Sequence, residues 1–242
     1  RSSEQRQESH QLHQDALTAC TEAVDQNSTA QKTLAKALAD AKSAQSITAD
    51  QVADGATIDT LKKAIAAVKN VEAVECKTSA STSDLKEYAK TATSQTKTAK
   101  KNATAITAAA KAVTDSKNAK DQANAQQALQ SQIAEAQTLL DNSLYAVDDN
   151  STRVTLESDI ANANTVLSQQ GTDVKAMQDA VNTLTASMDA VNTSMANYSA
   201  AVEAQRAQSQ YRYRYSNQRT TTTTTDPTPD PDPTPDPDPT PD

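Results

Sequence analysis

The sequence predicts an all-α protein, an elongated antiparallel helical bundle or coiled-coil rod that ends in a disordered tail of polyproline II type. Apolar side chains recur three and four residues apart along most of the chain, which is the spacing of packed helices. Alanine supplies much of the apolar content, and the chain has only two glycines. All eight prolines lie in the run "DPTPDPDPTPDPDPTPD" at 226–242, where they exclude a helix and favour an extended chain.

The first helix is predicted from an apolar seam that two polar residues interrupt. The seam runs through Leu17, Cys20, Val24, Asn27, Gln31, Leu34, Leu38 and Ala41. We predict one long helix across the interruption, and the alternative is a new helix capped by Ser28. Thr48 and Gln51 then have the spacing of a capping box, which predicts a short helical turn that Gly55 ends.

Two further helices are predicted before the "VDDNST" stretch at 147–152. An amphipathic helix carries Ile58, Leu61, Ile65 and Val68 on one face. A loop follows Cys76 and leads to an N-cap near Ser83. From there the apolar steps continue for about 55 residues, so we predict a long helix of about 80 Å.

The C-terminal part predicts two more helices. Asn150 or Ser151 caps the first, and Gly171 closes it. The last helix has the most regular seam of the chain, which consists of Val174, Met177, Val181, Leu184, Met188, Val191, Met195, Tyr198 and Val202. The predicted domains are therefore a bundle at 1–122, a three-helix unit at 123–215 and a Thr/Pro/Asp-rich spacer at 216–242.

Residues 129–195 also resemble a known family. The segments "LQSQIAEAQTLL", "TLESDIANANTVL" and "VKAMQDAVNTLTASM", with Tyr145 in the first loop, are similar to the FIVAR-type three-helix repeat of Gram-positive surface proteins. The chain departs from that family in having one copy rather than an array. The Pro-Asp-Thr tail resembles the wall-spanning spacers of the same class. The resemblance implies an exported, surface-displayed protein of actinobacterial type.

Cys20 and Cys76 are the only cysteines. We predict a disulfide that joins the first helix to the end of the second, because seams rich in alanine are weak and benefit from a covalent clamp. The alternative is a pair of free thiols.

Composition disfavours several classes of function. The chain has no Phe or Trp and shows no nucleophile with a base, no phosphate loop and no metal-ligand set, so we predict no enzymatic activity and no cofactor. His10 and His13 share a spacing of metal pairs but lack further ligands, so we predict no metal site. Six of the eight net negative charges follow Arg219, and no basic block is present, so we predict no nucleic-acid partner. No apolar run is long enough for a membrane span.

Two places remain as candidate ligand sites. The segment "YRYRYSNQR" groups tyrosine with arginine, as in surfaces that stack on sugars and attract polyanions; its candidate residues are Tyr211, Arg212, Tyr213, Arg214, Tyr215 and Arg219. The alternative interpretation is a frayed helix end whose arginines complement the helix dipole. The other place is the pair of tip loops at 54–57 and 148–152, which we favour because loops at the ends of a rod face a partner.

These patterns predict a non-enzymatic cell-surface stalk or adhesin-like module that displays a helical binding surface away from the cell wall. The expected partner is a host or wall glycan or an extracellular-matrix protein, and the expected state is a monomer, with a homo-oligomer as the alternative. We expect an extracellular, wall-associated location, with a signal peptide and an anchor outside this chain. The competing hypothesis is a structural, oligomeric coiled-coil spacer without a specific ligand.

Overall fold

The computed structural model describes residues 2–169, 171 and 173–221, and its regular secondary structure in these residues is helical. The helices are α1 (Ser3–Asp40), α2 (Lys42–Gln45), α3 (Ala56–Ala66), α4 (Thr82–Asn142), α5 (Ser151–Ser168) and α6 (Val174–Thr221), with a 3-10 turn at Ala49–Gln51. The predictions of an all-α fold and a helical bundle are confirmed. The predicted polyproline tail at 222–242 lies outside the described residues.

The chain divides into two compact units. The first contains residues 1–128 and Gly171–Met177, and the second begins at Leu129 and resumes at Gln178. The long helix α4 therefore contributes its first part to one unit and its last turns to the other.

In the first unit, α1 and α4 run in the same direction, with an antiparallel return between them. Cys20 of α1 packs with Leu85 of α4, and Asn27 donates through Nδ2 to Oε1 of Gln95 at 2.7 Å. Residues later in α1 therefore contact residues later in α4, as in parallel helices. The return is made by α3 and the irregular segment 67–81. This arrangement is the up-down-up order of a three-layer bundle.

The polar interruption of the α1 seam is satisfied by a relay of side-chain amides. Gln31 donates to Oδ1 of Asn27 at 3.2 Å, Asn27 donates to Gln95, and Gln95 donates to the backbone carbonyl of Glu72 at 3.0 Å. A buried amide side chain needs hydrogen-bond partners, and these bonds supply them for Asn27. Asn27 can therefore lie on the buried face of α1 without interrupting the helix. The prediction of one long first helix is confirmed, and the alternative start at Ser28 is wrong.

The main core of the first unit is a narrow seam of small side chains. Its buried members are Ala30, Leu34, Ala37, Ala41, Ala44, Val52, Leu61, Ala99, Ala103, Ile106, Ala109 and Val113. The predicted apolar face of α3 packs here, with Leu61 buried and Ile58, Ile65 and Val68 partly buried. The amphipathic prediction is thus confirmed, although α3 ends at Ala66 and Val68 lies beyond it.

Two predicted boundaries differ from the structure. The N-cap of α4 is Ser81 rather than Ser83, because the Oγ of Ser81 accepts the backbone N–H of Asp84 at 3.1 Å. The capping box of Thr48 and Gln51 is confirmed, with Thr48 N–H donating to Gln51 Oε1 at 3.0 Å. Gly55 does not end that turn, since the turn ends at Gln51 and Gly55 leads into α3 with φ −63°.

The predicted long helix is confirmed as α4, which continues for 61 residues. It passes through the polar stretch at 114–122 without a break. Two ion pairs at helical spacing support the helix there, Lys111 with Asp115 at 2.5 Å and Lys117 with Asp121 at 2.6 Å.

In the second unit, α5 runs antiparallel to the last turns of α4 and to α6. Arg153 near the start of α5 reaches the carbonyl of Leu140 near the end of α4, and Asp159 within α5 accepts from Ser187 of α6. The buried apolar side chains are Leu129, Ala136, Leu156, Ile160, Ala163, Leu184 and Val191. Three residues after α5, Gly171 adopts φ +74°, which fits the predicted stop.

Helix α6 continues past its packed part. Its buried positions end at Ser194, and the residues from 203 to 219 are exposed. The prediction placed residues 216–221 in the spacer, but α6 includes them because no proline occurs before Pro227.

Candidate functional site

The predicted disulfide between Cys20 and Cys76 is present, with the two Cα atoms 6.0 Å apart. Cys20 is fully buried and packs with Ala16 and Leu85, while Cys76 joins this cluster from segment 67–81. The bond therefore fixes the irregular segment against α1.

His13 has a structural partner. Its Nε2–H donates to the backbone carbonyl of Ala80 at 2.9 Å, and His10 is exposed on the same helix. Within the described residues, no group of three or more His, Cys, Asp or Glu side chains is placed to hold a metal ion.

The tip loop before α3 is a corner held by one serine of α4. The backbone N–H of Ala53 donates to the carbonyl of Ser116 at 3.1 Å, and the N–H of Asp54 donates to Ser116 Oγ at 2.8 Å. Asp54 in turn accepts the N–H of Ala56 through Oδ1 at 3.0 Å, and its carbonyl accepts the hydroxyl of Thr57 at 2.7 Å. The loop thus docks on α4 and starts α3 at the same time.

The tip loop before α5 repeats this corner bond for bond. Asp148 N–H donates to the Ser194 carbonyl at 3.2 Å, and Asp149 N–H donates to Ser194 Oγ at 2.9 Å. Asp149 Oδ1 accepts the N–H of Ser151 at 2.9 Å, and its carbonyl accepts the hydroxyl of Thr152 at 2.7 Å. The corners of the two units are therefore equivalent.

The equivalence extends to the helices around each corner. Equivalent residues of the two corners and their helices are separated by the same number of positions in the sequence. The matched pairs are Leu34 and Leu129, Ala41 and Ala136, Val52 and Val147, Asp54 and Asp149, Thr57 and Thr152, Leu61 and Leu156, and Ile65 and Ile160. At a second constant spacing, Ile106, Val113 and Ser116 match Leu184, Val191 and Ser194. The two units contain the same three-helix plan. The pattern D-x-x-T-x-x-T-L-x-x-x-I-A, at 54–66 and 149–161, is the sequence signal for it.

The second corner is more extensively bonded than the first. Ser194 Oγ also donates to Oδ1 of Asp148 at 2.5 Å, where the first corner has Ala53. Arg153 donates from Nε to Ser143 Oγ at 3.0 Å, where the first corner has Ile58. The hydrogen bond from the Ser151 side chain, followed by that from its backbone, lowers the pKa of Asp149 below its ordinary value.

These contacts bear on the tip loops as ligand sites. In both corners the aspartate and the threonine hydroxyl bond to the chain itself. Bonds of this kind stabilise a turn and reduce the polar groups that it can offer to a ligand. We therefore assign the corners a structural role rather than a role in ligand binding.

The Tyr-Arg segment presents the opposite situation. It lies on α6 beyond the packed positions, and Tyr211, Tyr213 and Tyr215 are 72%, 70% and 60% exposed. The rings of Tyr211 and Tyr215 stack one helical turn apart, with centroids 6.5 Å apart and planes inclined by 15°. The stack gives this side of the helix a pre-formed aromatic surface.

The charge around this aromatic surface is uniformly positive. Arg206, Arg212, Arg214 and Arg219 are all exposed, and the sequence between Glu203 and Asp226 contains no acidic residue. Arg212 lies between two tyrosines and Arg214 between the next two. A ring face beside a guanidinium suits sugars and anionic groups alike.

None of the helices in the described part of the chain combines the length and apolarity that crossing a membrane requires. No family model, curated protein or solved structure matches the chain.

Proposed function

We propose that this chain is a non-enzymatic, surface-displayed helical module that binds an anionic glycan or wall polymer through the Tyr-Arg segment. The single observation that carries the proposal is an exposed helical extension on which three tyrosines alternate with arginines beyond the last buried position of α6. Side chains without a packing role in their own unit are available to a partner.

The physical basis is a combination of stacking and charge. The stacked pair Tyr211 and Tyr215 offers an apolar face to a sugar ring, and the arginines supply donors for carboxylate, sulfate or phosphate groups. A polyanion of repeating units engages several such contacts at once, so weak individual contacts add to useful affinity.

The location belongs to the same proposal. A disulfide suits an oxidising, extracellular environment, and the FIVAR-like pattern with its Pro-Asp-Thr tail suits display on a Gram-positive wall. The Asp-Pro run then serves as a solvated spacer between the wall and the helical part.

A structural coiled-coil spacer is the second candidate function. The regular seam of α6 favours it, because Tyr198 and Val202 continue the seam past the last buried residue of the unit. In that case the exposed part of α6 pairs with another copy and carries no ligand, and light scattering reports a stable dimer or larger assembly.

The test is an array of glycans and extracellular-matrix proteins, probed with three forms of residues 1–219. The first form is unchanged, the second carries Arg212→Gln, Arg214→Gln and Arg219→Gln, and the third carries Ala56→Arg and Ser151→Arg at the two corners. We expect the arginine replacements to remove binding to anionic glycans and the corner replacements to leave it intact. Loss of binding only in the corner variant assigns the ligand to the tips and contradicts the proposal.

A further inference from the structure

A second surface of the first unit has the features of a peptide-binding groove. It is an open groove of about 620 Å³ between segment 67–81 and α4. One wall is formed by the segment at 72–80, and the other by α4 from Asp84 to Gln95.

The first wall has an extended backbone. Gln95 bonds both Asn27 of α1 and the carbonyl of Glu72, while Cys76 is bonded to Cys20. On α1, Cys20 and Asn27 are seven residues apart, which is about 10 Å along a helix. On the wall, the corresponding residues Cys76 and Glu72 are only four residues apart. Four residues cover that distance only in an extended conformation, at about 3.3 Å each.

This extended wall has unpaired backbone groups. In an extended chain the backbone groups of residues two apart face the same edge, so the N–H groups of Glu72 and Val74 face α4, as the Glu72 carbonyl does. Among the described residues, neither of these N–H groups has a hydrogen-bond partner. An extended segment with free N–H and C=O groups is the template on which another extended chain pairs. The disulfide and the Gln95 bond hold this template in place from both ends.

The charges of the groove indicate which chain would pair there. Glu72, Glu75 and Asp84 line it, against Lys77 alone, and Lys77 lies 4.0 Å from Glu75. The groove is therefore net negative, and Tyr88, 38% exposed, adds an aromatic surface on the α4 side. An extended partner with lysine or arginine on one face matches both the backbone and the charge.

We propose that this groove binds an extended, basic segment of another protein by adding it to the backbone of residues 71–77. The helical wall from Asp84 to Gln95 is about 16 Å long, which fits about five residues of extended peptide. The Asp-Pro run of this chain has the wrong charge and lacks N–H groups at every proline, and the basic Tyr-Arg segment is helical. Neither segment of this chain is therefore the occupant.

The experiment measures fluorescence anisotropy of a labelled octapeptide of alternating threonine and lysine with the full, oxidised chain. Comparison peptides replace lysine with glutamate or carry N-methyl groups on every residue. The groove variant is Glu72→Gln with Glu75→Gln and Asp84→Asn. The matched control removes the same charge at exposed positions of the second unit, Glu135→Gln with Glu157→Gln and Asp189→Asn.

We expect the groove variant to bind the lysine peptide about tenfold more weakly than the control variant, as three exposed ion pairs predict. The glutamate and N-methylated peptides should both bind more weakly than the lysine peptide, because one lacks the charge and the other the backbone donors. Equal binding by groove and control variants overturns the proposal, and so does undiminished binding of the N-methylated peptide. Equal melting temperatures of the variants exclude misfolding as the cause. Displacement of the peptide by uncharged dextran oligosaccharide would identify a glycan site instead and would also overturn it.

Discussion

The backbone N–H of Asp149 donates to the Oγ of Ser194 at 2.9 Å, and Asp54 makes the same bond to Ser116 at 2.8 Å in the other unit. Each serine connects a helix to the corner that starts another helix. The two serines therefore form a matched pair of sites at which the contribution of such a corner to stability can be measured.

Ser194→Ala should destabilise its unit more than Ser116→Ala destabilises the other. Ser194 donates to Asp148 as well as accepting from Asp149, so its loss removes two hydrogen bonds, at about 0.5–1.5 kcal/mol each. Ser116 is half-buried, water can replace its hydroxyl, and we expect a loss below about 1 kcal/mol. Amide hydrogen exchange at residues 54–57 and 149–152 measures the loss of stability at each corner, with Ser199→Ala on the exposed side of α6 as the control. Equal effects of the two changes would show that the additional contacts of the second corner do not contribute to its stability.

The two glycines should respond to alanine with opposite signs. Gly55 has φ −63°, and an added Cβ would meet only the Ala49 Cβ at 3.8 Å, so Gly55→Ala should stabilise by about 0.4–1 kcal/mol. Gly171 has φ +74°, where a Cβ is strained, so Gly171→Ala should destabilise by about 1 kcal/mol. Urea unfolding of the two variants beside the parent chain measures this. A destabilised Gly55→Ala variant would contradict the conformation assigned to the first corner.

Stability should depend on pH through Asp149. Its pKa in the folded chain is lowered, so the carboxylate stabilises the fold above its ordinary pKa of about 4, and this contribution is lost as the pH falls through the lowered value. Carboxyl chemical shifts followed from pH 7 to pH 2 give the titration directly. Ser151→Ala removes the largest cause and should move the pKa of Asp149 back towards its ordinary value. An unchanged titration in that variant would mean that the Ser151 hydroxyl does not hold the carboxylate.

Reduction of the disulfide should loosen the first unit. Closing the loop between Cys20 and Cys76, 56 residues apart, contributes about 4 kcal/mol in the chain-entropy model, so reduction should lower the melting temperature by several degrees. Amides of segment 67–81 should lose exchange protection first, because this bond fixes the segment against α1. The native oxidised chain should show no reactive thiol. Quantitative thiol labelling before reduction would refute the bond itself.

Most of the fold could be predicted because its periodicity is strong. The seams around Leu34, Leu61 and Leu184 predict helices, and the presence of only two cysteines predicts their pairing. The position of Ser81 as a cap could not be predicted, because several serines and threonines precede α4 and any of them has the required side chain.

The duplicated corner was missed for a related reason. Its matched residues are spread over two constant spacings, and the aligned segments share few identities outside the pattern that starts at Asp54 and Asp149. The serine partners, Ser116 and Ser194, lie far away in sequence and carry no local signal. The exposure of the Tyr-Arg segment likewise depends on where the packed part of α6 ends, which its uninterrupted helical pattern does not reveal.

The central claim is that the Tyr-Arg segment binds a polyanion, and its most direct test is the salt dependence of binding to dextran sulfate. The parent chain is compared with the Arg212→Gln, Arg214→Gln, Arg219→Gln variant and with a control that carries Lys97→Gln, Lys100→Gln and Lys101→Gln on exposed positions of α4. Because each arginine contact releases counterions, we predict a steep decrease of affinity with salt for the parent and the control, a nearly flat dependence for the arginine variant, and weak binding to uncharged dextran throughout. The same slope and affinity in the arginine variant as in the control would contradict the account.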